Sequence, residues 1–581
     1  MTPVRFDWLR FDRARPARVP VGALALYVAL AFLAFGLRLL FVPGSKYVGT
    51  GADPQVFIWS FAWWPHALLH GENPFVTHAV WAPEGVNLAW TTTVPGLALL
   101  FSPLTLAAGP VASYNVAAVL MPALTAWTAF LLCRYLTRKL WPSLVGGGLF
   151  GFSSYMLGEE QGGHLHVTAV FLVPLAALVV LRYVRGDADG RALVIRLAPL
   201  LALQLTFATE IAFTLSLALV CAILLGVLVL PACRRRLVRL LAPLAGSYLL
   251  AGVLTAPLVY YLLTGFQKHG IHPPQDYVTD LLNFVVPTRA SLSGQGWAES
   301  ISSHFPGNDA ERGAYLGAPT LLIVALFAWQ RRRTAGGRFL VLSLLLAALA
   351  SLGSKLTVNG TSSLRLPWGR GIVPLPWEHV GYLPVFDNVL VERLPLYVSL
   401  AAAVMVSLWT ASRGHRSLRL VLPALAILAI APYPAARIWE HRFAVPPLFT
   451  DSAYRACLGP GENILPLPVN YNGYADLWQV ESGFRFTMAG GYVAASPPQS
   501  FLTPKATANI ARGLPVPADQ AQALRTYIHA KHVTSVAVDE SQTRYWASAL
   551  DRIATPHEVG GVLLYHLGDW RKDCPRSSGG G

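Results

Sequence analysis

Apolar residues recur along this chain in runs of about 20, and a run of that length crosses the hydrocarbon core of a bilayer as a helix. The runs lie at 21–42, 112–133, 140–157, 166–183, 192–209, 211–230, 238–263, 315–330, 338–354, 394–412 and 418–436. They predict an α-helical polytopic membrane protein with about eleven transmembrane helices. Val94 to Ala108 is also apolar, but Pro95 and Pro103 interrupt it. Counting it as a span would turn Arg134, Arg138 and Lys139 outwards, so it is read as a re-entrant or surface-lying helix.

The breaks between runs differ in charge. Arg5, Arg10, Arg13, Arg15 and Arg18 precede the first span, and the loops 134–139, 184–191, 231–237, 331–337 and 413–417 all carry arginine. Basic loops stay in the cytoplasm. The N-terminus is therefore expected inside, and the long segments 43–110, 264–314 and 355–393 outside. Within 43–110, Phe57, Phe61, Trp64 and Leu68 recur at helical spacing, so Asp53 to His70 predicts an amphipathic helix at the membrane interface. After 437 the texture changes to short apolar bursts, Ile464–Leu467, Val533–Val538 and Val562–His566, with a helical stretch at Asp519–Ala530. That alternation predicts a small extracytoplasmic α/β domain over 438–576, with 577–581 as a flexible tail.

Composition agrees with the pattern. Of 581 residues, 54% are hydrophobic and 13% charged, about half the charged share of a soluble domain. The net charge of +15 sits largely in the inner-loop clusters and marks topology, not nucleic-acid binding, for which no module is present. Cys457 and Cys574 bracket the C-terminal segment, where an oxidising location permits a disulfide.

The candidate chemistry lies between the spans. Asp53, in Gly49-Thr50-Gly51-Ala52-Asp53-Pro54, is placed either to cap the helix that follows or to act as a general base at the membrane surface. Glu159, Glu160, His164 and His166 share one short loop between spans; the alternatives are a hydrated polar turn, a divalent-cation site or a phosphate contact. Glu210 lies between two apolar runs, at a rim or lining a cavity. Lys268, His269 and Arg393 are either snorkelling anchors or cations for a lipid phosphate. Walker A, Rossmann, nucleophile-elbow and HExxH motifs are missing, which argues against a nucleotide cofactor.

Taken together, Asp53-Pro54 with Trp59 and Trp63-Trp64, Pro83-Glu84-Gly85-Val86-Asn87, Gly163-His164, Tyr315-Leu316-Gly317 and Gly490-Gly491-Tyr492 resemble the GT-C polyprenyl-phosphate-sugar-dependent glycosyltransferases, and among them a bacterial YfhO-like subgroup. The resemblance implies an inverting transferase of the bacterial plasma membrane. Its donor would be a polyprenyl-phosphate-linked sugar, its acceptor a cell-envelope glycan, lipid or protein, and Asp53 its base. Many members pair two acids in the first loop, whereas Pro54 follows Asp53 here. Any divalent cation would then fall to Glu159, Glu160 and His164. The rival classes are a transporter or lipid flippase, and a non-catalytic scaffold.

Overall fold

The computed structural model describes residues 18–40, 46–265, 277–367, 369–433, 439–442, 445–494, 496–516, 519–569 and 571–575. Among the described residues, seven helices are long and apolar enough to cross a membrane: Val19–Leu39, Pro110–Thr137, Leu165–Arg185, Gly190–Phe207, Thr209–Val229, Pro231–Leu254 and Val391–Ala411. Their outward faces leave Leu224, Leu228, Leu249 and Val253 exposed, a surface that lipid can cover and water cannot. The chain is a multi-pass membrane protein. Ala318–Arg331 and Ala335–Ser351 are shorter apolar helices.

Two expected spans are interrupted. The run 140–157 is a helix only over Leu140–Gly151. Ser153 then accepts a hydrogen bond from the Met156 amide and starts a new helix, Ser154–Gly162, as an N-cap serine does. The run 238–263 stops at Leu254 and restarts as Ala256–Thr264, with Pro257 in its first turn. The apolar segment 94–108 forms two short helices, Pro95–Leu100 and Ser102–Ala108. The basic residues before Arg18, the pair Lys268 and His269, and the tail 577–581 lie outside the described residues.

The helix Asp53–Leu69 corrects the expectation of a surface-lying amphipathic element. It is buried on nearly every side, from Pro54 to Ala67, with only Ala62 and His66 partly covered. It is apolar all round because it is packed from two directions. Phe61 stacks on Phe101 of the membrane-side helices, with ring centroids 5.9 Å apart. Trp59 and Trp63 stack on one another and meet Phe484 edge-on, while the Trp59 indole donates to Gln479 Oε1 at 2.7 Å.

Gln479 belongs to the C-terminal segment. There a five-stranded sheet runs in the order Pro556–Val559, Val562–His566, Ser535–Asp539, Asn463–Leu467, Thr487–Met488. The last three strands are parallel, with Ile464 opposite both Ser535 and Met488. The first loop extends the free edge: Trp81 N donates to Gly490 O, Ala82 N to Met488 O, and Met488 N to Ala79 O. Lys46–Val48 pairs antiparallel with Glu440–Arg442. A single hydrophobic cluster runs from Tyr27 through Trp59 and Trp81 to Leu564, so first loop, bundle and sheet share one core.

Cys457 and Cys574 are joined in a disulfide across 117 residues. Closing so long a loop contributes on the order of 4–5 kcal/mol in the chain-entropy view. Cys574→Ser is therefore expected to lower the unfolding temperature and to remove the linked peptide from non-reducing mass spectra. Both thiols open to alkylation in the native protein would contradict the pairing.

Candidate active site

The turn before the buried helix is pressed against the end of the Ser154–Gly162 helix. A Cβ at Gly49 would meet Gly163 Cα at 2.6 Å, and both glycines hold positive φ, so this approach requires glycine on each side. Thr50 donates from its amide and its hydroxyl to Gln161 O, at 2.7 and 3.0 Å. Tyr114 Oη donates to Val48 O and Gly163 O. These bonds bring Asp53 onto His164. On another face of the same helix, a Cβ at Gly158 would meet Ala310 O at 2.2 Å. That contact seats the 308–311 loop and delivers Glu311.

His164 is the centre of the site. Its Nε2 donates to Asp53 Oδ2 at 2.8 Å and its Nδ1 to Glu159 Oε2 at 2.6 Å, with Glu311 Oε1 at 3.7 Å. Asp53 Oδ1 accepts from the Tyr492 hydroxyl at 2.5 Å. Arg393 closes the cluster. Its guanidinium bonds to Glu210 and to both Glu311 oxygens, at 2.6 and 3.0 Å for the closer contact to each, and lies 3.7 Å from Glu159. Four carboxylates therefore face two cations.

The titration follows. Burial works against the His164 imidazolium, but the hydrogen bonds and charges of Asp53 and Glu159 outweigh it and hold its pKa up at about 10. Burial would raise Asp53, yet His164 and then Tyr492 pull its carboxyl down to about 2. Glu159 is pushed up by burial and by repulsion from Glu311. Glu311 is held down because Arg393 overcomes the cost of burying it. The excess carboxylate charge is thus relieved on Glu159.

Of the residues singled out in the sequence, Asp53, Glu159, His164, Glu210 and Arg393 converge here. Glu159, Glu160 and His164 are not on a hydrated loop: the acids are in the buried helix and His164 follows its left-handed C-cap, Gly163. Glu160 is fully buried beside the cluster, with Oε1 unpartnered and its pKa raised by burial. His166 is buried against Phe57, rings 5.5 Å apart. Arg393 is taken up by carboxylates, so a phosphate there would have to share it. Glu311 and Tyr492 were not identified as contributors. Their signals are an acidic pair, Asp309 and Glu311, just ahead of a span, and a Gly-Gly-Tyr turn after a short strand.

The cluster opens into a cavity of about 1150 Å³. Its lining includes Phe213, Leu258, Leu262 and Leu263 from the helices and Asn470, Tyr471, Tyr492 and Arg512 from the C-terminal segment. Residues 24–377 match the family described as "Domain of unknown function (DUF6311)". The chain belongs to the DUF6311 family. No curated protein matches the sequence.

Solved structures do resemble this DUF6311 member. The Archaeoglobus fulgidus oligosaccharyltransferase in its apo form aligns with a TM-score of 0.54 at 11% identity, over 95% of this chain and 74% of its own. The same enzyme, AglB, with an inhibitory peptide and a dolichol-phosphate gives 0.50 at 10%, over 95% and 74%; with Zn and sulfate it gives 0.52 at 12%, over 94% and 73%. The arabinofuranosyltransferase AftD from Mycobacteria gives 0.51 at 15%, over 97% of this chain but 41% of AftD, so this chain spans about two-fifths of that enzyme. These are glycosyltransferases of the GT-C fold, and at such identities the likeness is one of fold.

Two outcomes are expected. Arg393→Met leaves Glu159, Glu210 and Glu311 without their buried counter-charge and should cost about 3–5 kcal/mol in thermal or denaturant unfolding; a neutral result would mean that the carboxylates are protonated or solvated. The second concerns pH. The raised His164 pKa contributes stability that is complete below 6.5 and is lost as pH rises through about 10. The lowered Asp53 pKa contributes above its unfolded value of about 4 and is lost as pH falls towards about 2. The stability gap between wild type and His164→Gln should therefore be widest between about pH 4 and 6.5 and close towards pH 10. A gap that grows with pH would contradict the ion pair.

Proposed function

We propose that this protein is an inverting glycosyltransferase that moves a sugar from a polyprenyl-phosphate carrier to a cell-envelope acceptor at the outer face of a bacterial plasma membrane. The observation that carries the reading is Asp53. Its carboxylate keeps 31% of its side-chain surface open in a cavity lined by both apolar and polar residues. The apolar lining suits a polyprenyl chain and the polar lining a hydroxyl-rich co-substrate. The shared fold with AglB, solved with a dolichol-phosphate, and with AftD supports the same class of donor. The inner-loop arginines support a cytoplasmic N-terminus and an outer C-terminal sheet. A transporter would account for the apolar helices, but not for a charge cluster assembled from first loop, bundle and C-terminal segment.

In this reading an acceptor hydroxyl donates a hydrogen bond to Asp53. Its oxygen attacks the anomeric carbon, the carbon–oxygen bond to phosphate breaks, and the lipid phosphate leaves with the electron pair. A carboxylate with a pKa of about 2 is a weak base. It takes the proton late, as the new bond makes the acceptor oxygen acidic, which suits an oxocarbenium-like transition state. His164 and Tyr492 hold the Asp53 carboxylate in one orientation, and Arg393 keeps the acids behind it from repelling the phosphate.

Glu159, His164 and Glu311 offer donor atoms within 4.8 Å of one another. Two carboxylates and an imidazole fit a divalent cation, and the surplus of carboxylates over cations leaves charge for it. Glu159, His164 and Glu311 would hold such an ion, and it would supply positive charge to stabilise a leaving phosphate. Purified protein in nanodiscs, given a panel of polyprenyl-phosphate sugars and envelope acceptors, tests the reading. Asp53→Asn should fold normally while transfer falls by about a hundredfold or more; wild-type turnover in that variant removes Asp53 from the mechanism.

A further inference from the structure

The cations around the cavity are almost all committed. Arg289 is paired with Asp309 at 2.5 Å, Arg393 with Glu210 and Glu311, and His164 with Asp53 and Glu159. Arg512 also lines the cavity with its side chain exposed, and among the described residues it makes no side-chain hydrogen bond or ion pair. Next to it stands an aromatic platform. Tyr471 is 50% exposed and meets Tyr492 edge-on, with centroids 6.3 Å apart, and Tyr492 holds Asp53.

Side-chain hydrogen bonds tie the segments of this wall together. Asn470 Nδ2 donates to Ala511 O at 3.4 Å and Asn472 Nδ2 to Gly513 O at 2.7 Å, which locks the 470–473 loop to the 511–513 turn. Gln55 Nε2 donates to Gly473 O at 2.9 Å, which locks both to the helix that begins at Asp53. The 470–473 loop follows the carboxyl end of the strand Asn463–Leu467 and Tyr492 that of its parallel neighbour Thr487–Met488, the edge at which sheets of this kind present ligand-binding loops, and Arg512 reaches them from the turn after the helix Lys505–Ala511.

We infer that the wall built by Tyr471, Tyr492 and Arg512 is the acceptor subsite, and that it takes a saccharide bearing an oxyanion, either a uronic-acid carboxylate or a phosphate. Tyr471 offers a flat face for a sugar ring at low entropic cost, and Arg512 a fork for the anion. The lipid phosphate of the donor belongs beside the leucine-rich lining. The inference deepens the transferase reading and rests on it.

Equilibrium binding on the full chain in nanodiscs tests it, with tetragalacturonate, maltotetraose and undecaprenyl phosphate as probes. Saturation-transfer NMR should show tetragalacturonate binding at least about tenfold tighter than maltotetraose. Arg512→Gln should lose about that factor, while Arg512→Lys keeps most of it. Tyr471→Ala should weaken both saccharides, and undecaprenyl phosphate should be unaffected by Arg512→Gln. Three results overturn the inference: no tetragalacturonate binding to wild type, equal binding of the neutral and acidic saccharides, or Arg512→Gln weakening undecaprenyl phosphate instead. Arg512 and Tyr471 are exposed, so folding of these variants is not at stake, and thermal unfolding checks it. Failure of the transferase reading shows differently, as saccharide binding intact with no turnover of any lipid-linked sugar.

Discussion

One imidazolium held between two carboxylates organises this molecule. His164 joins Asp53 from the first loop to Glu159 from a bundle helix, and Arg393 ties Glu159 to Glu210 and Glu311. A buried charge is tolerated only where it is paired. Each of these residues is therefore tenable only while the others are present, which binds five separated stretches of chain to one point. The close glycine contacts at Gly49, Gly158 and Gly163 exist to let those stretches come near enough.

The same constraint explains the helix Asp53–Leu69. Asp53 can reach His164 only if the helix behind it lies against the bundle, and the C-terminal sheet then covers its other side. Tyr492 completes the arrangement from the C-terminal segment. The catalytic candidate is consequently shared: bundle residues set its charge, and Tyr492, in the turn after the strand Thr487–Met488, helps set its orientation. The weak basicity that results is consistent with transfer through a late proton shift, where positioning and electrostatics matter more than basic strength.

The lining of the cavity combines apolar helix residues such as Leu258 and Leu262 with the charged cluster and with polar residues of the C-terminal segment such as Asn470 and Arg512. In the proposed reaction a lipid-borne donor and a water-borne acceptor approach from different phases, and a site at the seam between a bundle and the C-terminal sheet suits both. The charge balance inside the cluster, with carboxylates in excess, adds room for one more positive charge.

The apolar runs, the arginine-bearing loops and the short strand-like bursts were legible in the sequence, because hydrophobic periodicity and local capping are properties of neighbouring residues. Asp53, Glu159, His164, Glu210 and Arg393 could likewise be picked out one at a time, as polar groups beside apolar runs. Their roles could not. Asp53 and His164 are 111 residues apart, and Glu311 and Tyr492 lie further along still; no local pattern states that they touch. The burial of the helix that carries Trp59 is hidden for the same reason, since an apolar stripe does not say whether lipid or protein will cover it. Membrane insertion was determined by the sequence because each run must satisfy its own backbone in lipid. The site was decided only by tertiary structure, because pairing of buried charges depends on which distant segments the packing brings together.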